Sequence, residues 1–177
     1  MFCQASVAQW LTMIRQHLAP LSKPQAPVLA LWSFGMVLAR SCALPAVSSL
    51  LAEGMQHAEQ TVRQRLRAWY DDVARQRGPK RQALCVEPGC APLLGWVVSW
   101  WHGTQLALAL DATTLGQRFV VLAIRGVYRG WALPVAWVSL PAGAKHAWRR
   151  EWLRLVRRLR PAIPPGGTVR VLAARGL

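Results

Sequence analysis

An aspartate and a threonine stand two residues apart at the end of an apolar segment, in the stretch LALALDATTLG at residues 106–116. Asp111 is one of only seven acidic residues, against 22 Lys and Arg. Because alternate residues of a strand project to the same side, Thr113 is expected beside Asp111, where its hydroxyl could hydrogen-bond a ligand or a phosphate. A carboxylate in this place is a candidate ligand for Mg²⁺, which prefers oxygen. Taken alone, Asp111 could equally be an ordinary turn or surface aspartate.

Strands and a helix must position this aspartate. The segment QLALALDAT predicts a first strand, apolar on both faces as in a central, covered strand. The run RFVVLAIRGVYRGWALPVAWVSL predicts two more strands joined by a turn at YRG. Pro134 lies in the third strand, which should therefore be an edge strand or contain a bulge. Residues 146–160 have apolar side chains at helical spacing, and TVRVLAARGL supplies a fourth strand.

The predicted order is strand, strand, strand, helix, strand. If the crossover through the helix is right-handed, the fourth strand returns parallel beside the first, as at the start of a ribonuclease-H-like domain. Two carboxylates at the adjacent strand tips could hold two divalent cations about 3.5 to 4 Å apart, a device for phosphodiester cleavage. The chain is thus predicted to be α+β, with a helical region over residues 1–103 and an incomplete ribonuclease-H-like βββαβ unit over 104–177.

The helical region is broken by Pro and Gly. Helices are predicted at residues 7–17, 28–41 and 55–76, with a further one after Pro45 and a short apolar one at 93–103. The apolar run within the second helix is shorter than the roughly 20 residues of a membrane span, so no membrane partner is expected. Four scattered cysteines and the lack of a signal-peptide pattern favour reduced thiols and a cytoplasmic, nucleoid-associated location.

Several segments of this sequence resemble one family. LALDATTLGQRFVVLAIRGVYRGWALPVAWVSLPA, KHAWRREWLRLVRRLRP and VRVLAARGL are similar to the first part of the catalytic domain of DDE-class insertion-sequence transposases, in the insertion-sequence-4-like superfamily. FGMVLARSCALPAV is similar to their helical leaders. The resemblance implies cut-and-paste movement of DNA, Mg²⁺ or Mn²⁺ as cofactor, and the element's ends as partner. It also implies three catalytic acids, of which the first, at the end of the first strand, maps onto Asp111.

The sequence departs from that pattern at the second acid. Ala174 stands where the second Asp is expected, and no third acid can be assigned, because the chain ends at Leu177 and Glu151 lies among arginines. A methyl group cannot coordinate a cation, and metal ions contribute several kcal/mol to such reactions, each 1.36 kcal/mol being about tenfold in rate. We therefore expect a truncated, inactive transposase fragment. A non-enzymatic DNA-binding fragment that inhibits intact transposase, or a pseudogene product without function, remain alternatives.

The net charge of +15 favours a polyanion, and first of all DNA, as the partner. Two basic clusters are candidates, at residues 63–81 and 145–160. Ordinary solvated helix faces would give the same pattern. The candidate nucleic-acid-binding residues are Arg63, Arg67, Lys145, Arg149, Arg150, Arg154, Arg157 and Arg158.

Overall fold

The computed structural model describes residues 4–71, 83–103, 105–144 and 148–173. Across these residues the chain is α+β. Five N-terminal helices are followed by a mixed four-stranded sheet, and a sixth helix lies between the third and fourth strands, in the order βββαβ. The predicted fold class is confirmed at this level. The chain forms two compact units, Met1–Cys85 and Val86–Leu177.

The first unit is helical. It consists of α1 Gln4–His17, α2 Gln25–Ala39, α3 Leu44–Met55 and α4 Glu59–Ala68. Helices α2 and α3 approach closely at Gly35, where a Cβ atom would lie 2.8 Å from a methyl carbon of Val47. The core between α2, α3 and α4 is apolar and contains Leu31, Val47, Leu51, Ala52, Val62 and Leu66.

The helix predicted over residues 55–76 is wrong at its start and too long. Helix α3 ends at Met55, and Gln56 adopts a left-handed conformation with φ of 56°. The backbone N–H of Gln56 donates to the carbonyl of Glu53, which closes the last turn of α3. The cap residue is glutamine and not the usual glycine, and the apolar spacing that predicted the next helix begins only at Val62. Helix α4 ends at Ala68, and residues 72–76 lie outside the described part of the chain.

None of the helices that the structure describes is individually long and apolar enough to cross a membrane. Helices α2 and α3 reach that length and apolarity only as a pair, and their axes meet at a bend of 99°.

The second unit is a sheet with two helices. Its elements are α5 Cys90–Val98, β1 Gln105–Leu115, β2 Phe119–Tyr128, β3 Trp131–Pro141, α6 Trp148–Leu159 and β4 Thr168–Ala173. The strand order is β3-β2-β1-β4; β1 and β3 pair antiparallel with β2, and β4 pairs parallel with β1. The three successive antiparallel strands and the return of the fourth strand beside the first are therefore confirmed.

The third strand accommodates its proline as predicted. Strand β3 is at an edge of the sheet, and its register with β2 shifts between Ile124 and Arg125. Arg125 then pairs with Pro134, and Val135 is fully buried at the irregularity. An edge position with a bulge spares the sheet the hydrogen bond that proline cannot donate.

Helices α5 and α6 cover one face of the sheet. Leu106 and Leu108 of β1 point into this core, whereas Ala107 and Ala109, on the other face, are half-buried. The first strand is thus buried on one face rather than on both. The helices contribute Leu94, Val97, Leu155 and Leu159 to the same core. Helix α5 therefore packs with the sheet, although the sequence analysis assigned its residues to the helical region.

Candidate functional site

Asp111 lies on the face of the sheet opposite to α5 and α6. It pairs across the antiparallel ladder with Ala123 of β2, while the last described pair of the parallel ladder joins Leu110 to Ala173 of β4. Asp111 is therefore the next residue of β1 after the described β4 pairing. The strand itself continues to Leu115 as one arm of the β1–β2 hairpin. Ala174, the expected second position, lies outside the described residues.

The carboxylate of Asp111 is held by two side chains of the same sheet face. Its Oδ2 accepts a hydrogen bond from Nη2 of Arg125 at 2.8 Å and one from Oγ1 of Thr113 at 3.0 Å. Arg125 is opposite Ala109 on the neighbouring strand, so it reaches Asp111 diagonally. Both charged side chains are 39% exposed. The ion pair is accessible to water and salt.

These residues do not fit the pair of divalent cations that the resemblance implies. No group of three or more His, Cys, Asp or Glu able to hold a metal ion occurs in the described part of the chain. A cation at Asp111 would meet a single protein carboxylate and would compete with the guanidinium of Arg125. Glu87 and Glu151, the other acids of the second unit, pair with arginines of α6 instead.

Helix α6 presents arginines on the side away from the core. Leu155 and Leu159 are buried, and the helix is strongly amphipathic. Arginines at positions 150, 154, 157 and 158 line one surface concavity. At 1.5 Å per residue they extend over about 12 Å of the helix axis. We call these four side chains the α6 arginine surface: Arg150, Arg154, Arg157 and Arg158.

Two arginines of this surface are held by an acid from outside the helix. Glu87, just before α5, lies 2.8 Å from Arg154 through Oε1 and 2.8 Å from Arg158 through Oε2. Arg154 also lies 2.8 Å from Glu151. Arg150 and Arg157 form no ion pair with the acids that the structure describes, so they are the more available to an anion.

The other predicted DNA-binding residues are elsewhere. Arg149 is on α6 but does not line the concavity, and Lys145 lies outside the described residues. Arg63 and Arg67 are on α4 of the first unit, where they pair with Glu59 and Asp71 one turn away. The Arg63–Glu59 pair lies within α4, whereas Asp71 follows the end of the helix; exposed pairs of this kind contribute a few tenths of a kcal/mol and leave the guanidinium accessible.

Two residues that shape these sites were missed by the sequence analysis. Arg125 could have been found by folding the β1–β2 hairpin about its turn, because the resulting register puts Ala123 opposite Asp111 and Arg125 diagonal to it. Glu87 had no such signal, since it is separated from Arg158 by 71 residues and is brought to α6 only by tertiary packing.

No family model, curated protein or solved structure matches this chain. Its function is therefore inferred from its own residues. Two features of the second unit carry chemistry: the ion pair of Asp111 with Arg125, and the α6 arginine surface.

Proposed function

We propose that this protein is a derivative of DDE-class DNA transposases that binds DNA and does not cleave it. The second unit would be a ribonuclease-H-like βββαβ unit. One observation supports the proposal: the described parallel pairing of β1 with β4 extends to Leu110 and Ala173, and Asp111 is the next residue of β1. An acid on β1 beside the carboxyl end of the parallel neighbour β4 is what a cation-dependent nuclease of this class would require, although β1 itself continues to Leu115.

The chemistry of the Asp111 site supports the loss of cleavage. A guanidinium already neutralises the carboxylate at 2.8 Å, and the residue expected to provide the second carboxylate is Ala174. Without two acidic ligands, developing charge on the phosphate would lose a stabilisation of several kcal/mol, and each 1.36 kcal/mol is about tenfold in rate. The chain would then cover DNA, the ends of an element included, without cutting it, and so inhibit an intact transposase.

The α6 arginine surface supports the binding of a DNA backbone. Guanidinium groups form bidentate hydrogen bonds with phosphate oxygens. Arg150 and Arg157 have no acidic partner among the described residues, and Glu87 fixes the side chains of Arg154 and Arg158. Contacts of this kind position a duplex but do not read its sequence. We therefore expect salt-sensitive binding to duplex DNA in general, whatever the element.

The test compares duplex binding by two double variants of equal charge. Arg150→Gln with Arg157→Gln removes the two unpaired arginines of the surface, and Arg15→Gln with Arg118→Gln removes two exposed arginines elsewhere. Fluorescence anisotropy with a labelled duplex, from the DNA flanking the coding sequence, gives the salt dependence of the affinity. Losing two phosphate contacts should reduce the slope of log K against log salt by about 2.

The control variant should keep the wild-type slope. If both double variants lose affinity equally, the attraction is a property of the net charge of +15 and not of α6. If the wild type binds no duplex, the proposed function is wrong.

A further inference from the structure

The hairpin between β2 and β3 ends in a highly exposed tryptophan. Arg129 and Gly130 form its two-residue turn, with φ angles of 49° and 84°. Left-handed conformations at both positions are the mark of a type I′ turn, whose twist matches that of the flanking strands. Tyr128 and Trp131 are the cross-strand pair that closes the turn, and Trp131 is 73% exposed. The turn therefore presents a large aromatic ring to solvent on a fixed support.

Neighbouring aromatic rings anchor this support. The rings of Trp101 and Tyr128 lie 4.9 Å apart at an angle of 39°. The hydroxyl of Tyr128 donates a hydrogen bond of 3.0 Å to the carbonyl of Trp100, whose own side chain is 50% exposed. Tyr128, the cross-strand partner of Trp131, is thus packed and hydrogen-bonded, which holds in place the end of the hairpin that carries Trp131.

An arginine side chain lies close to these aromatic rings. The guanidinium of Arg129 lies over the ring of Tyr128, 5.3 Å from its centroid. It forms no ion pair with an acid of the described residues. A positive charge beside an exposed aromatic face suits a ligand that alternates flat apolar rings with negative charges.

Single-stranded nucleic acid has this chemistry. Every base has a π-face, so stacking on an aromatic side chain tolerates any sequence, and the phosphates are attracted by nearby arginines. In a duplex the base faces are covered by their neighbours and are not available to Trp131. The net charge of +15 adds a general attraction for the same ligand.

We propose that the β2–β3 tip, made of Tyr128, Arg129 and Trp131, binds unpaired nucleotides of single-stranded nucleic acid. Trp131 stacks on one base and Arg129 neutralises an adjacent phosphate. The site is separate from Asp111, since Tyr128 is five residues along β2 from Ala123, the partner of Asp111, or roughly 17 Å. It goes beyond the proposed function, because backbone binding by α6 needs no unpaired base.

The experiment uses the full chain and a labelled oligothymidine of about 20 nucleotides, enough to cover a typical single-strand site. Trp131→Ala should weaken binding to it by roughly 5- to 140-fold, the equivalent of stacking one base. Trp131→Phe should retain most of the affinity. Binding to a duplex of equal length should not change. Trp137→Ala, which removes a 38% exposed tryptophan on the other face of the sheet, serves as the control.

Three results would overturn the inference. They are an unchanged affinity of Trp131→Ala for oligothymidine, an equal loss on oligothymidine and duplex, and a wild type that binds no oligothymidine. Vesicles of phosphatidylglycerol test the competing occupant, since Trp and Arg also suit an anionic membrane surface. A Trp131-dependent affinity for vesicles without one for oligothymidine would assign the tip to lipid. If the chain binds oligothymidine through Trp131 but does not bind duplex DNA, the proposed function is wrong and the inference about the β2–β3 tip stands.

Discussion

The carboxylate of Asp111 is held by a protein cation. Its partner is Arg125, a permanent cation provided by the neighbouring strand, with Thr113 as a second donor. Under the proposed function, an intact relative would hold a metal ion at this carboxylate instead. A guanidinium satisfies the charge of the carboxylate but has no open coordination position for a water molecule or a phosphate oxygen. The site can therefore stabilise the sheet without supporting hydrolysis.

The strength of this ion pair should be small. Asp111→Asn, Arg125→Gln and the double variant form a cycle whose coupling we expect at about 0.2–1 kcal/mol, the range of exposed pairs. Both side chains are 39% exposed, so water competes for them. Urea unfolding at low and high salt measures the coupling, which should decrease with salt. A coupling that is zero at low salt, or that grows with salt, would show that the two residues do not interact as described.

Sequence alone located Asp111 and Thr113 but not what holds them. The DATT segment follows an apolar run, and the alternation of strand residues predicted that the two side chains share a side. The partner was missed because Arg125 lies in a different strand, and finding it requires the register of the hairpin rather than the pattern of either strand. The role of Glu87 was not predicted for a similar reason, because Glu87 contacts Arg154 only once α5 and α6 have packed together.

At the scale of the element, α6 separates two roles between its two sides. Leu155 and Leu159 fasten it to the sheet, and the arginines occupy the solvent side. Period, composition and the following Pro161 made this helix predictable, as the apolar, β-rich runs and the YRG turn did for the strands. The boundary between α3 and α4 was not predictable in this way, because the left-handed cap at Gln56 depends on backbone hydrogen bonds and not on a glycine.

The two sides of α6 should differ sharply in their tolerance of the same change. Leu155→Ala should lower the free energy of unfolding by about 2–5 kcal/mol, because the side chain is 2% exposed and its removal leaves a cavity. Leu153→Ala is the matched control, two residues away and 46% exposed, and should stay within about 0.5 kcal/mol of wild type. Denaturant unfolding followed by circular dichroism measures both. Equal effects would mean that α6 is not docked through Leu155.

For the whole molecule, the net charge and the fold support different parts of the proposed function. A net charge of +15 on 177 residues attracts nucleic acid without specifying a site. The sheet topology is compatible with the transposase ancestry that we propose, and the pairing of Asp111 with Arg125 fits the proposed loss of catalysis. The α6 arginine surface would then bind the backbone of a duplex, and the β2–β3 tip would bind unpaired bases.

Folding distinguishes the proposed DNA-binding protein from a pseudogene product without function. The buried cores of both units predict a cooperative thermal transition and a soluble chain. An unstructured, aggregating product would favour decay. Such aggregation would begin at the outer edge of the short strand β4, which pairs with no strand among the residues that the structure describes.

The most direct measurement is a nicking assay with Mg²⁺ or Mn²⁺ on plasmid DNA that carries the sequences flanking the coding region, with DNA binding followed in the same samples. We predict that the wild type binds the plasmid and leaves it supercoiled with either metal, and that Asp111→Ala behaves identically. Metal-dependent nicks that disappear in Asp111→Ala would contradict this prediction, because they would show that the carboxylate paired with Arg125 still serves catalysis.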